Sequence, residues 1–380
     1  MEKNWGKKNI LAIVLLIAFI VFSIIGFATS YVFTPEYNIR AVDHSFLIKD
    51  NIYHLFYIHT NLSINGGSWV TDPNEDFFGH VTSQDLVNWT NEPHVINVGP
   101  IGSWDSKNVW APHIIQYDGI YYMFYTGVNY STNAPSYNAQ KIGVATSTDL
   151  YNWQKYSENP VVDCGNFSWT LYNPEIAWGG DCRDPMVYHD LVNNRFIMYF
   201  FADRFEGRSV VGYAYSSDLL HWSEGSYIET TLGRRPESPF LLDNPYDNKY
   251  YLFYSGYEGV EYAVSDTPDG DFVNLGMFGD SLNGFATEVP RMHNVIFYTN
   301  AGNGVFYRMI NLRKLVWDEQ TSSFSISDLE NCDVIRCGGS SPIFSPILKL
   351  LPLHFPIQES TSNVKEKKGE KPKSKSTLFE

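Results

Sequence analysis

One short unit recurs five times in this chain, and its spacing restricts the fold more than any other feature. Asp43 stands before His44-Ser45-Phe46-Leu47 and the run Tyr53-His54-Leu55-Phe56-Tyr57. Trp110-Ala111-Pro112-His113 stands before the aromatic run 121–125, and Arg183-Asp184-Pro185-Met186 before the run 196–201. Glu237-Ser238-Pro239-Phe240 precedes the run 250–254, and Glu288-Val289-Pro290 precedes 295–298. A second phrase lies inside each unit. It runs from Gly79 through Ser83 and Asp85 to Trp89, then from Ile142 through Ser147 and Asp149 to Trp153, then from Val211 through Ser216 and Asp218 to Trp222. A weaker copy covers 260–266, and a degenerate one covers 306–317, after which the repeat stops. Each phrase reads as a strand, a Ser/Asp turn and a Trp that opens the next strand. Residues 36–317 carry almost no helical period. A small sheet of this size cannot bury both faces alone, so such repeats pack radially. The expected fold is therefore all-β, a five-bladed β-propeller. The inner strand of each blade starts at the central channel, so the acids opening four of the units, Asp43, Asp184, Glu237 and Glu288, should meet at one mouth. Asp85, Asp149 and Asp218 read as turn-formers, and Trp89, Trp153 and Trp222 as packing residues between blades.

The ends differ from the middle. Lys3, Lys7 and Lys8 precede a run, 10–27, that is apolar except for Ser23 and Gly26. Its length lies between that of a cleaved signal and that of a spanning helix, and residues 31–33 would lengthen it; Ala28-Thr29-Ser30 would serve as a cleavage site. The expectation is an export signal or an uncleaved N-terminal hydrophobic anchor helix through the membrane at residues 10–30, with the basic end inside and the body at the cell surface or secreted. The domains expected are 1–33 (signal or anchor), 34–340 (propeller) and 341–380 (a Pro-broken apolar extension and a Lys/Ser-rich tail). Aromatic residues at 16% favour strands, and a net charge of −15 argues against nucleic acid as a partner. Four cysteines allow three pairings; Cys164 with Cys182 would pin the connection into the third unit, and Cys332 with Cys337 would close a small loop. Sequons stand at Asn61, Asn88, Asn129 and Asn166. A monomer is expected.

At these residues the chain resembles the five-bladed propeller glycoside hydrolases of families 43 and 32, over roughly residues 36–317. The phrase 79–89 after Tyr53-His54-Leu55-Phe56-Tyr57 is similar to the first blade of family 32. Trp110-Ala111-Pro112-His113-Ile114 is similar to the second blade of family 43, and Arg183-Asp184-Pro185 is shared by both. The resemblance implies a glycosidase with three working carboxylates. Asp43 would be the base or nucleophile, Asp184 would orient the site, and Glu237 would be the general acid. His44 stands where those families place Pro after the first Asp. Breaking a glycosidic bond needs a proton for the leaving oxygen and a carboxylate opposing it across the sugar, which explains the residue types. Glu237 must then hold a proton near neutral pH, through burial or a neighbouring negative charge such as Asp184, while Arg183 would keep Asp184 ionised. Trp104, Trp110, Trp169 and Trp178 offer faces for sugar rings, and Arg183 and Glu288 are further substrate contacts. No cofactor is expected. The resemblance allows a channel calcium near His113 or His293, but no metal-ligand spacing appears.

The substrate expected is a polysaccharide or oligosaccharide of arabinan, xylan or fructan type. Because no sandwich-sized segment follows the propeller, the reading leans to family 43, an inverting enzyme and a wide Asp43–Glu237 gap. Two rivals stand beside it: a propeller glycoside phosphorylase, for whose phosphate site no basic cluster is obvious beyond Arg234-Arg235, and a carbohydrate-binding propeller without catalysis, suggested by His44.

Overall fold

In a computed structural model, the described residues are 31–329, except 37–38, 62–73, 131–137, 176–178, 206, 231–234, 257–258, 279–284, 293–294 and 302–309. The apolar run 10–27, Trp178, Arg234, His293, Cys332, Cys337 and the extension 341–380 lie outside them. Among the described residues no helix is long and apolar enough to cross a membrane.

The five units form five antiparallel sheets. Blade one is Ile39–Lys49, Ile52–Asn61, Phe78–Ser83 and Trp89–Val95, hydrogen-bonded in chain order. Blade two is Asn108–Tyr117, Ile120–Tyr130, Asn138–Ser147 and Gln154–Lys155. Blade three is Cys182–Asp190, Arg195–Arg204, Arg208–Ser216 and Ser223–Ile228. Blade four is Glu237–Asn244, Lys249–Gly256, Gly259–Ser265 and Val273–Met277. Blade five is built differently. Its inner strands are Phe285–Glu288, Val295–Ala301 and Ile310–Asp318, with Arg291–Met292 as a short addition. Its outer edge is shared end to end by Tyr31–Phe33, opposite Ile310 to Leu312, and Ser323–Ser327, opposite Lys314 to Asp318.

Two expectations are corrected here. Residues 31–33 do not lengthen the apolar run; they are a strand that ties the N-terminal side of the chain to the last blade. The repeat also does not stop at Trp317. Ser323–Ser327 alternates Ser with Phe324 and Ile326, the period of a half-buried strand, and Phe324 enters the core. The five-bladed, all-β architecture is as expected.

The second strand of each blade is sandwiched between neighbours, which is why these strands read as continuous apolar runs. Each core cluster bridges adjacent blades. Phe56 and Met123 belong to one, Phe124 and Phe200 to a second, Tyr199, Phe253 and Tyr298 to a third, and Tyr53, Phe297 and Phe33 to a fourth. Truncating one such Phe to Ala costs about 3–5 kcal/mol in a packed core.

The Ser/Asp phrase is a local device. Ser83 Oγ accepts from the N–H groups of Asp85 and Leu86, while Asp85 Oδ1 accepts from those of Val87 and Asn88. Ser147 with Asp149 and Ser216 with Asp218 repeat the pattern. The Leu inside each turn is buried at positive φ (59°, 75° and 69°), a conformation that the side-chain bonds hold in place. Cys164 and Cys182 form a disulfide that closes the connection between blades two and three. Of the sequons, Asn88 and Asn166 are exposed, and Asn61 and Asn129 are half-buried.

Candidate active site

Each of the first four inner strands carries a one-residue bulge at the same height. The ladder skips between Val42 and His44, Trp110 and His113, Arg183 and Met186, and Glu237 and Phe240. In blades two to four the bulged residue precedes Pro and is left-handed: Ala111 at φ 47°, Asp184 at 59° and Ser238 at 49°. That conformation costs a non-glycine residue about 1–2 kcal/mol, and such outliers collect at functional sites. Asp43 and Asp184 occupy the bulge itself. Glu237 occupies the position before it, facing Ser255, as Arg183 faces Phe201 and Trp110 faces Thr126. Glu288 faces Thr299 in the same way.

These strands are bonded to one another around the channel. The Phe46 N–H donates to Glu288 Oε2 (3.0 Å) and the Ile114 N–H to Ser45 Oγ (3.1 Å). The Asp184 N–H donates to Thr126 Oγ1 (3.0 Å), and the Ser238 N–H to Asp184 Oδ2 (2.9 Å). Asp43, His44, His113, Asp184, Ser238 and Glu288 line one central cavity of about 30 Å³. That volume holds about one or two waters, so a sugar ring must sit at the mouth above it.

Asp184 and Glu237 are joined by Arg183. Arg183 Nη2 meets Glu237 Oε1 at 2.5 Å and Arg183 Nη1 meets Asp181 Oδ1 at 2.5 Å, whereas Arg183 Nε is 3.7 Å from Asp184 Oδ2. The guanidinium also lies 4.0 Å above the Phe201 ring. Arg183 was expected to keep Asp184 ionised. Arg183 does act in that direction, but burial outweighs it, and the Asp184 carboxyl is pushed up to about 6, with Glu237 adding to the rise. Arg183 is itself buried among three carboxylates, which leaves it a positioning group rather than an open sugar contact. Arg235 meets Asp181 Oδ2 at 2.8 Å and Glu237 Oε1 at 3.4 Å, so this half of the basic pair is already engaged.

Glu288 is buried, and burial pushes its carboxyl well above the usual range. It binds blade five to blade one through Phe46, with His113 Nδ1 3.9 Å away. His44 fills the place that Pro takes in blades two to four. Its Nε2 lies 2.6 Å from Thr299 Oγ1, a hydrogen bond, and that hydroxyl donates to the Glu288 carbonyl (3.4 Å). Burial holds the imidazole neutral, with a pKa of about 3, and its Nδ1 is buried without a hydrogen-bond partner. Among the described residues no group of three His, Cys, Asp or Glu side chains could hold a metal ion.

The tryptophans separate. Trp104 packs over Gly127 and Gly143 and against Tyr125, and Trp169 packs over Gly212 and beside Phe200, so each covers a blade strand. A side chain at Gly127 or Gly143 would strike the Trp104 ring, which explains glycine in those strands. Trp110 stays half-buried at the mouth position of blade two. Its indole N–H donates to Glu75 Oε2 (2.6 Å), and Glu75 Oε1 accepts from Thr60 Oγ1 (2.9 Å) and Arg40 Nη2 (3.5 Å). Sequence reading passed over Glu75; only its place just before the phrase 79–89 could have drawn attention to it. Three donors converge on this carboxylate. Glu75→Gln turns a donor toward a donor and is expected to cost about 1–3 kcal/mol in denaturant unfolding, with a change in tryptophan emission. A variant as stable as the parent would show that Glu75 does not hold Trp110.

Comparison with known proteins fits this geometry. The sequence model of the glycosyl hydrolases family 32 N-terminal domain matches residues 33–239, ending just past Glu237. The chain is 26% identical over 273 residues to an invertase of Schizosaccharomyces pombe, covering 63% of this chain and 41% of that protein. It is 28% identical over 277 residues to a levanase of Bacillus sp. (strain L7), covering 64% of this chain and 26% of that protein. The chain thus spans well under half the length of these relatives. Among solved structures, fructan 1-exohydrolase IIa from Cichorium intybus superposes with a TM-score of 0.60 at 17% identity, over 80% of this chain and 61% of that one. A thermostable family-43 glycoside hydrolase superposes with a TM-score of 0.55 at 16% identity, over 78% of this chain and 97% of that one. The structural likeness reaches both families and shows the propeller. The sequence match decides between them against the lean to family 43: this chain belongs to glycosyl hydrolase family 32.

Proposed function

We propose that this protein is a glycosidase acting on fructosyl linkages, in a fructan or in sucrose. The observation carrying the reading is the meeting of Asp184 and Glu237 through Arg183 beside the cavity that Asp43 lines. Relatives named invertase and levanase support the fructan branch over arabinan or xylan.

In this reading Glu237 protonates the leaving oxygen while Asp43 attacks the anomeric carbon. The covalent intermediate is then opened by water, with Glu237 now taking its proton. Family 32 membership replaces the inverting expectation with this retaining one, so the Asp43–Glu237 gap expected in a substrate complex is about 5–5.5 Å rather than about 6.5–9.5 Å. Asp184, held against Ser238, sits where it can accept a hydrogen bond from a sugar hydroxyl. Trp110, braced by Glu75, supplies an apolar face.

The test is a substrate panel: sucrose, levan, inulin, arabinan and xylan with the full chain, reading released monosaccharide. Fructose is the expected product. Arabinose or xylose would overturn the reading. Binding of fructan without any hydrolysis would favour the non-catalytic propeller, for which His44 in the place of Pro is the supporting feature. The phosphorylase reading loses ground because Arg235 is already paired with Asp181 and Glu237.

A further inference from the structure

We propose that Asp181 and Arg235 are positioning residues that set the pH range of hydrolysis by balancing the charge around Glu237; the proposal rests on Glu237 being the proton donor. Four charged groups form a closed ring. Asp181, buried, gives one oxygen to each of two guanidiniums: Oδ1 to Arg183 Nη1 at 2.5 Å and Oδ2 to Arg235 Nη2 at 2.8 Å. Both guanidiniums return to the same oxygen of Glu237, at 2.5 Å and 3.4 Å. Both also lie over the Phe201 ring, at 4.0 Å and 5.2 Å, which fixes their planes and keeps water from one side.

The ring is anchored at Asp181 and open at Glu237. Gln140 Nε2 donates to Asp181 Oδ1 (3.3 Å), and Gln140 Oε1 accepts from Arg183 Nη1 (3.1 Å) and from the Cys182 N–H (3.2 Å). The disulfide to Cys164 fixes the backbone between Asp181 and Arg183. The Glu237 side chain, by contrast, is 41% exposed and is the member that substrate can reach. Among the described residues, Asp184 beside Arg183 also faces the ring, as does Asp203, which accepts from Ser209 and lies close enough to feel Asp181, Arg183 and Arg235.

Two cations and two anions cancel within the ring. A general acid must hold a proton before the bond breaks and take one back afterwards. A surplus cation strips that proton at lower pH, and a surplus anion retains it to higher pH. Asp181→Asn leaves the two guanidiniums with one carboxylate fewer, Glu237 and the more distant Asp184, so the alkaline limb of the kcat/KM profile moves down. Arg235→Gln leaves Arg183 as the one guanidinium among Asp181, Asp184 and Glu237, so the limb moves up. Each displacement is expected to be about one pH unit, and the double variant returns toward the parent.

The experiment measures kcat/KM against pH for the full chain on sucrose or levan, with thermal melts confirming that each variant folds. Opposite displacements that cancel in the double variant support the proposal. A fall in rate with the limb unmoved, or both limbs moving the same way, overturns it and leaves a structural role. Should Asp181→Asn fail to fold, the half-exposed Arg235 carries the test alone: an upward move supports the proposal, and a fixed limb overturns it. Glu237→Gln is run beside them. If it hydrolyses levan at the parental rate, the assignment of Glu237 itself falls, whereas its loss of activity with unmoved limbs removes only the charge-balance proposal.

Discussion

Glu237→Gln is expected to lower turnover of sucrose or levan by about 10²–10⁴-fold, the usual weight of a positioned general acid. The substitution is close to isosteric. A glutamine carbonyl can still accept from Arg183 Nη2, so the bond that fixes this side chain across the blade three–blade four boundary is kept. What is lost is the proton and the ability to carry it. Substrates whose leaving group departs as a stable anion need little protonation and should lose much less. The rate ratio between the two substrate kinds therefore separates loss of acid catalysis from general damage. A uniform loss on both kinds, or parental activity on levan, would remove Glu237 from the role.

Most of the architecture could be read from residues whose chemistry is local. Ser83, Asp85 and Trp89, and their copies at 147–153 and 216–222, specify their turn within seven residues, so the sequence carries the turn wherever it carries the string. The bulges were not foreseen, although three of them share a sequence feature. Ala111-Pro112, Asp184-Pro185 and Ser238-Pro239 each place a residue before Pro at the head of an apolar strand. The outer edge of blade five was not legible. Three apolar residues, 31–33, have too short a period to distinguish them from the hydrophobic run before them, and their partner strand lies some 280 positions away.

At the site, the acids were legible because the repeat itself placed them. Their partners were not. Asp181 reaches Arg235 across 54 residues and Gln140 reaches Asp181 across 41, and only the closed ring brings them together. Distance along the chain likewise hid Glu75 behind Trp110, at a sequence separation of 35. The packing of Trp104 was hidden too: Gly127 and Gly143 in blade two leave the space that its ring fills. For Arg183 the adjacent Asp184 looked like its natural partner. Asp184 is indeed a partner, at 3.7 Å, but the guanidinium makes its shorter contacts to Asp181 and Glu237.

Asp184→Asn is expected to trade activity for stability. The buried Asp184 carboxyl has its pKa raised to about 6, chiefly by burial, against about 3.9 in an unfolded chain. The folded state thus binds this proton more tightly than the unfolded state. The stabilisation it provides is full below about pH 4 and is lost as pH rises through about 6. Above that, the fold carries a buried charge that Arg183, 3.7 Å away, offsets only in part. Asparagine removes the charge and keeps an oxygen to accept from the Ser238 N–H. The variant should therefore melt above the parent at pH 7.5, by a margin on the order of 1–3 kcal/mol, and the two should converge near pH 4. Glu288, raised by the same burial, is present in both proteins and does not affect the difference. Turnover should fall, and the alkaline limb should move to lower pH, because a negative charge beside Glu237 has gone. A variant less stable than the parent at pH 7.5, with a gap that does not change with pH, would show that the Asp184 carboxylate supports the fold and is not a buried charge retained for chemistry.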